Sequence, residues 1–102
     1  MITKDNVYFH EWIGLNAKVI SSPNPAENGI AGTLCNETKN TVELRKENGV
    51  KRIVKSGRVF ELATTEEKFT INGSYAVFRP EDRIKERRRI GKMLRNGIIN
   101  GD

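Results

Sequence analysis

The chain has 102 residues, of which 36% are hydrophobic and 30% are charged, a composition that predicts one domain with a single modest core. No apolar run approaches the roughly 18 residues that span a bilayer, and the opening MITKDNVYFHEW lacks the apolar centre of a signal peptide. One cysteine, Cys35, and one histidine, His10, are too few for an internal disulfide or a zinc site. These features predict a cytoplasmic protein.

Most of the net charge of +5 lies in one segment. Residues 79–92, RPEDRIKERRRIGK, hold seven basic and three acidic side chains, a balance of 7 − 3 = +4, whereas residues 1–78 hold ten basic and nine acidic ones. Such a concentration of cations favours a polyanionic partner, with nucleic acid first and an anionic membrane surface second.

Residues 1–14 are predicted to form a short helical segment. Asp5 is a residue type that caps helices, and Tyr8, Trp12 and Leu15 recur at the i, i+4, i+7 spacing of one helical face. These side chains either close one end of the core or form a surface for a partner, and the sequence leaves both alternatives open.

Residues 15–78 are predicted to form a small, strongly bent β-barrel. Short apolar segments alternate with turn signals, in the order NAKVI, GIAGTLC, TVELRKE, VKRIVK, RVFELA, KFTI and YAVF, and segments this short and closely spaced indicate a barrel. Asn48-Gly49 is predicted to form a type I′ hairpin turn because both residues tolerate positive φ. Gly29 and Gly32 would permit the sharp bends that a small barrel needs.

Residues 79–95 are predicted to form a basic C-terminal helix, followed by a flexible tail at 96–102. Pro80 suits the first helical position, and the two acidic residues after it complement the positive end of the helix. At 100° per residue, five cations fall within an arc of about 120°: Lys85, Arg88, Arg89, Lys92 and Arg95. The apolar side chains Ile90, Met93 and Leu94 lie roughly opposite.

The sequence indicates no catalytic group. His10 and Cys35 have no recognisable partner for nucleophilic catalysis. The carboxylates Glu66-Glu67 and Glu81-Asp82 could hold Mg²⁺, although adjacent acidic residues are also common on solvated turns and helix starts. The stretch GIAG lacks the lysine and the helix of a phosphate-binding loop. We therefore expect no catalytic residue in this chain, and no metal or cofactor bound by it.

RNA binding is better supported, because cations also surround the predicted hairpins. Basic strand ends and loops can follow a phosphate backbone, while uncharged side chains beside them reach sugars or bases. Together with the basic helix, they give these candidate RNA-binding residues: Lys39, Asn40, Thr41, Arg45, Lys46, Lys51, Arg52, Lys55, Arg58, Arg79, Arg83, Lys85, Arg88, Arg89 and Lys92.

Several stretches together resemble a known family. They are WIG, SSPNP, GIAGTLCNETKNTVEL, KRIVK, VFEL, ING and RPEDRIKERRR, and they resemble archaeal ribonuclease P protein component 1, the Pop4-type subunit of ribonuclease P, over about residues 7–92. The sequence departs from the family pattern at Cys35-Asn36, where an aliphatic residue and Asp are more usual.

The resemblance implies an Sm-like barrel of about six antiparallel strands with short terminal helices. It also implies a subunit of the ribonucleoprotein endoribonuclease that removes the 5′ leader of precursor tRNA, with the chemistry carried by RNA and Mg²⁺. In that family the subunit pairs with a zinc-ribbon protein subunit, and the two bind the specificity domain of the RNA. We expect the isolated chain to be a monomer.

The apolar residues of the terminal segments are candidates for the protein contact, and dividing them from the RNA-binding set is our interpretation. These candidates are Val7, Phe9, Trp12, Ile90 and Leu94.

Three other functions fit parts of the sequence. A ribosome- or translation-associated barrel, such as a ribosomal protein or a KOW-type domain, shares the glycine-bearing strand and the basic surface. A self-assembling Sm ring would use the same barrel as a scaffold. An autonomous nuclease would require this protein to cleave RNA alone.

Overall fold

The computed structural model describes residues 2–4 and 6–99, with side chains through residue 95. The predicted cap Asp5 and the last three residues of the predicted tail, 100–102, lie outside the described residues. None of the described helices is both long and apolar enough to cross a membrane.

Six strands form one antiparallel sheet in the order β4-β3-β2-β1-β5-β6. The strands are β1 (Asn16–Ser21), β2 (Ala31–Glu37), β3 (Thr41–Lys46), β4 (Gly49–Val54), β5 (Val59–Ala63) and β6 (Lys68–Asn72). Among the described residues no pairing joins β4 to β6, so the sheet is bent but not closed. The predicted mostly β fold with six antiparallel strands is confirmed.

Two irregularities and one glycine bend the sheet. The pairing register shifts in β1 between Val19 and Ser21, and in β2 between Leu34 and Asn36. Such bulges increase the local twist and turn a strand. A Cβ atom at Gly32 would collide with the carbonyl oxygen of Arg45 on β3. Glycine at this position therefore allows the close approach of two backbones that the bend requires.

Alternate residues of the strands fill the core. Each of the six strands contributes one of the most completely enclosed side chains: Val19, Leu34, Leu44, Ile53, Leu62 and Ile71. Burying an aliphatic side chain of this size stabilises the fold by about 1.5–3 kcal/mol. The period-2 pattern read from the sequence therefore corresponds to the inward face of the sheet.

The N-terminal segment is a single 3-10 turn, Val7–Phe9, and not the predicted helix. His10 is already extended, with φ −104° and ψ 158°, so Tyr8, Trp12 and Leu15 do not share a helical face. Trp12 folds back instead, and its indole Nε1 donates a hydrogen bond of 2.7 Å to the carbonyl oxygen of Val7. Trp12 is 2% exposed, which places it in the core.

Two local predictions in the barrel were wrong. The segment YAVF is not a strand, because residues Gly73–Ala76 form a 3-10 turn. The β3–β4 loop consists of Glu47 and Asn48, since Lys46 pairs with Gly49. Among the described residues only glycines have positive φ, so Asn48 does not adopt the type I′ conformation and the turn lies one residue earlier than predicted.

The C-terminal helix is broken in two. Helix α1 spans Pro80–Lys85 and helix α2 spans Arg87–Ile99, and Glu86 between them has φ −93° and ψ 29°. The predicted single helix over 79–95 is therefore wrong. The predicted start of the tail at residue 96 is also wrong, because α2 continues to Ile99.

Candidate nucleic-acid interface

A buried ion cluster lies beneath the surface where an RNA contact was expected. Lys55 Nζ is 2.7 Å from Glu37 Oε2, and Arg83 Nη2 is 2.7 Å from Glu37 Oε1. Arg83 Nε donates a second bond of 2.8 Å to Glu37 Oε2. All three side chains are fully buried. One carboxylate therefore faces two cations, which leaves one positive charge in excess inside the protein.

Backbone carbonyl oxygens supply the remaining acceptors for these two cations. Lys55 Nζ donates to Ala76 O at 2.9 Å and to Phe78 O at 3.0 Å. Arg83 Nη1 donates to Tyr8 O at 2.7 Å and to His10 O at 2.8 Å. No buried side-chain nitrogen or oxygen atom of the described residues lacks a hydrogen-bond partner, and complete pairing of this kind is what makes buried charge tolerable.

The indole ring of Trp12 also lies against both buried cations. The Arg83 guanidinium carbon lies 3.8 Å from the centre of the Trp12 ring, and Lys55 Nζ lies 5.7 Å from it. A cation over an aromatic face is attracted by the ring quadrupole, most strongly when water is excluded. The cluster thus joins the N-terminal segment, β2, the residues that follow β4 and helix α1.

Burial lowers the pKa of Lys55 below its ordinary value of 10.5, because removal from water disfavours the ammonium form. The hydrogen bond and the charge of Glu37 oppose this change, and the Arg83 cation adds to it.

The bulge in β2 explains why a carboxylate faces the core. Leu34 pairs with Leu44, whereas Asn36 pairs with Glu43, so Cys35 is an extra residue in the strand. The extra residue changes which residues of the strand point inward. Strict alternation from Leu34 would have placed Asn36 inward, but Glu37 takes that position instead. The Cys35 thiol donates to Glu43 O at 3.4 Å.

The assignment of Lys55 and Arg83 to RNA contacts was wrong, because both side chains are 0% exposed. Arg58 is also largely enclosed: its side chain is 19% exposed and its Nε is 3.0 Å from Glu27 Oε1. The other candidates on the sheet and its turns are exposed or half-buried. Arg52 has an exposed ion pair with Glu43 at 3.1 Å.

Helix α2 carries the strongest group of exposed cations. Within this helix Arg88, Arg89, Lys92 and Arg95 are exposed and fall within an arc of about 120° at 100° per residue. Lys85 is exposed too, but the break at Glu86 places it on α1 and removes it from that arc.

Two arginines at the start of α2 stack on aromatic rings from other segments. The Arg87 guanidinium carbon is 5.6 Å from the centre of the Phe9 ring, and that of Arg89 is 5.6 Å from the centre of the Phe78 ring. Stacking holds a guanidinium in place while its N–H groups remain available to an anion. Sequence analysis missed Arg87, since only the arc of a continuous helix was considered.

Three of the five residues proposed for a protein contact belong to the core. Val7 and Trp12 are 2% exposed and Ile90 is 0% exposed, so they do not reach a partner in this conformation. Phe9 and Leu94 are half-buried. Ile84 on α1 and Ile13 before β1, which were not selected from the sequence, are among the most exposed large apolar residues.

Comparison with known proteins gives one family. The family described as "Ribonuclease P/MRP, subunit p29" matches residues 5–86. Ribonuclease P protein component 1 of Thermoplasma volcanium is 43% identical over 88 residues, which cover 86% of this chain and 96% of that protein. The protein of the same name from Nitrosopumilus maritimus is 40% identical over 84 residues, covering 82% and 96%. The solved structure of Mth11, described as a homologue of human RNase P protein Rpp29, is similar with a TM-score of 0.56 and 35% identity, over 74% of this chain and 99% of that one.

Proposed function

Because this chain belongs to the ribonuclease P/MRP subunit p29 family, we propose that it is a protein subunit of ribonuclease P that binds the RNA of that enzyme. The family match carries the proposal, since residues 5–86 include the N-terminal turn, the whole sheet and α1. The relatives that share 40% to 44% of aligned residues are named ribonuclease P protein component 1.

The chain acts as the Pop4-type subunit in removal of the 5′ leader from precursor tRNA. In this role the RNA and Mg²⁺ carry the chemistry, and the protein supplies cations at fixed positions. Lys and Arg near RNA phosphates replace ions that otherwise screen the backbone. Exposed cations from several elements support this role, because they are distributed over the hairpins and both C-terminal helices.

The RNA-binding surface consists of the accessible candidates, with Arg87 and Arg95 added and Lys55, Arg58 and Arg83 removed. Phosphate contacts fix the position of the RNA, and polar side chains in the turns can reach sugars and bases. The surface comprises Lys39, Asn40, Thr41, Arg45, Lys46, Lys51, Arg52, Arg79, Lys85, Arg87, Arg88, Arg89, Lys92 and Arg95. Its RNA partner is the specificity domain of ribonuclease P RNA.

The zinc-ribbon subunit of the enzyme binds the apolar side chains that the terminal segments leave accessible. Phe9 and Leu94 remain from the sequence prediction, and Ile84, at 51% exposure, joins them. Exposed apolar side chains of this kind are typical of a protein contact when they are grouped. Val7, Trp12 and Ile90 are buried and make no contact with this partner.

Reconstitution tests this function directly. The full chain is combined with ribonuclease P RNA and the other protein subunits, and cleavage of precursor tRNA is measured over a range of Mg²⁺ concentrations. Addition of the chain should lower the Mg²⁺ required, whereas the chain alone should cleave nothing. An unchanged Mg²⁺ requirement, together with no binding preference for ribonuclease P RNA over ribosomal RNA, would contradict the proposal.

A further inference from the structure

Two adjoining grooves lie between the β2–β3 turn and the start of α1. One groove, of about 410 Å³, is lined by residues 37–40 and 79–81. The other, of about 590 Å³, is lined mainly by residues between Gly73 and the first turns of α2, including Phe78 and Arg89. Lys39 and Arg79 line both grooves, so these two cations stand at the boundary between them.

The buried Lys55 connects the β2–β3 turn to the segment before α1 by hydrogen bonds. Its backbone N–H donates to Asn40 O at 2.7 Å, in the β2–β3 turn. Its Nζ donates to Phe78 O at 3.0 Å, in the residue before Arg79. Asp82 N and Arg83 N both donate to Arg79 O at 2.9 Å. The backbones that carry Lys39 and Arg79 are therefore pinned to one buried residue, although neither side chain takes part in the cluster.

The two cations themselves are available to a ligand. Lys39 and Arg79 are exposed, and within the described part of the chain neither forms an ion pair. Because the backbones that carry them are already held in place, binding of a phosphate needs only the two side chains to become ordered, which limits the entropic cost.

The grooves contain more than cations. Phe78 is half-buried, and Arg89 lies over its ring at 5.6 Å. Carboxylates line the remaining sides, with Glu37 and Glu81 in one groove and Asp82 and Glu86 in the other. Glu37 is paired with Lys55 and Arg83, and the other three acids balance the three cations, so the grooves differ from a plainly cationic surface that follows a duplex backbone.

This mixture fits an unpaired nucleotide. Unpaired bases can stack on an aromatic ring or a guanidinium plane and expose their hydrogen-bonding edges. Carboxylates accept hydrogen bonds from exocyclic amino groups of bases, while cations take the phosphate. A double-helical segment has no unstacked base to place against an aromatic ring, and the carboxylates would repel its closely spaced phosphates.

We propose that these grooves bind an unpaired stretch of RNA, with a phosphate between Lys39 and Arg79 and a base against Phe78. The proposal rests on the RNA-binding function above and names the part of the RNA that this site takes.

Binding of short oligonucleotides tests the site. The full chain and the variant Lys39→Gln/Arg79→Gln are titrated against a single-stranded RNA of about ten nucleotides and a blunt duplex of the same length, over a range of salt concentrations. Each lost phosphate contact on a single strand should reduce the slope of log affinity against log salt by about 0.7. Because Lys39 and Arg79 share one phosphate, the double variant should lose about 0.7. Phe78→Leu should weaken single-strand binding by roughly tenfold through lost stacking.

The matched control is Lys4→Gln/Lys68→Gln, which removes the same charge from exposed positions that line neither groove. It should keep the wild-type slope to within a few tenths. Circular dichroism of each variant establishes that the fold is retained. Equal slopes for the groove variant and the wild type would overturn the proposal, as would tighter binding of the duplex than of the single strand.

Photo-crosslinking separates this proposal from the general function. Ribonuclease P RNA containing 4-thiouridine is crosslinked to the full chain, and the attached peptides are identified. Crosslinks between residues 78–79 and unpaired nucleotides are expected. Crosslinks confined to residues of α2 that line neither groove, or to paired nucleotides, would overturn the groove site but leave the RNA-binding function intact. Equal crosslinking to an unrelated RNA, at every site, would count against both.

Discussion

Lys55 and Arg83 carry the same charge as the cations of α2 but differ from them in burial and in the groups that they contact. The buried pair lies within 2.7 Å of one carboxylate and donates to four backbone carbonyl oxygens. The cations Arg88, Lys92 and Arg95 are exposed and form no ion pair with a described residue. The first group holds segments of the chain together, and the second is available to RNA.

The comparison shows that cations act in two ways in this protein. Buried cations affect the stability of the fold, and exposed cations affect binding. Cations inside the fold interact at short range in a medium of low dielectric, so each partner matters strongly. Cations on the surface are screened by water and salt, and their effect on folding is small. Variants in the two groups should therefore change different measurements, and the predictions that follow test this separation.

The largest effect is expected for Glu37→Gln. This change removes the carboxylate that pairs with both Lys55 and Arg83 while keeping the shape of the side chain. Two buried cations then lack an anion, and breaking a buried pair in this way costs about 3–5 kcal/mol in the free energy of unfolding. Chemical denaturation followed by circular dichroism measures the loss.

Glu43→Gln provides the control, because Glu43 pairs with the exposed Arg52 at 3.1 Å. Removal of an exposed pair should cost less than about 1 kcal/mol. If the two variants lose similar stability, the buried cluster does not hold the fold together as its geometry indicates.

A smaller loss of stability is expected for Lys55→Met. The variant leaves Glu37 balanced by Arg83 but removes the donor that satisfies Ala76 O and Phe78 O, a cost of about 1–3 kcal/mol. Because the pKa of Lys55 is lowered in the folded state, the unfolded chain binds more protons in the window between that pKa and 10.5. The contribution of Lys55 to stability should therefore rise with pH across this window.

The difference in unfolding free energy between wild type and Lys55→Met isolates that rise, since other alkaline titrations are common to both. Among them is Tyr8, whose pKa is raised mainly by burial. Denaturation curves at pH 7 and at successive alkaline values should show the difference growing. A constant difference would mean that Lys55 carries its proton as easily inside the fold as in water.

Variants of the exposed group should alter binding and leave folding almost unchanged. Replacing Arg88, Lys92 and Arg95 with glutamine removes three cations from one arc of α2. At about 0.7–0.9 per phosphate contact, the slope of log affinity for ribonuclease P RNA against log salt should fall by about two to three units. Loss of thermal stability without a change in slope would place these cations in the first group instead.

Much of the fold was predictable because it follows from local rules. The inward positions of Leu44, Leu62 and Ile71 follow from period-2 alternation. The turn signals separated seven segments, of which six are strands and YAVF is not, and the expectation of about six strands came from the family resemblance. The hairpin at Asn48-Gly49 was located to within one residue, but its type was not, since strand pairing placed Glu47 and Asn48 in the loop.

The candidate site was harder to predict, because burial of a charge depends on contacts far apart in the chain. Arg83 interacts with Glu37 and with Tyr8 O across the whole domain, and no local pattern marks such a contact. Lys55 did give a signal, since it lies two residues after the inward Ile53 and so shares its face. The same alternation did not indicate burial of Glu37, because the β2 bulge changes which residues of that strand point inward.

The smallest effect is expected for Glu27 and Arg58, a pair that is less buried than the Glu37 cluster and less exposed than the cations of α2. Ser22 Oγ donates to Glu27 Oε1 at 2.6 Å and Arg58 Nε donates to the same oxygen at 3.0 Å, and the hydrogen bond from Ser22 is the largest cause of the lowered pKa of Glu27. A lowered carboxyl pKa stabilises the fold above the ordinary value of 4.5, and that contribution is lost as pH falls through the lowered pKa. Ser22→Ala and Arg58→Gln should therefore each weaken the pH dependence of unfolding below pH 4.5, because the hydrogen bond from Ser22 and the hydrogen bond and charge of Arg58 all lower this pKa, with a loss near pH 7 of about 1 kcal/mol or less. A greater effect of Arg58→Gln would show that the ion pair outweighs the hydroxyl, and that this partly buried pair behaves like the cluster around Glu37.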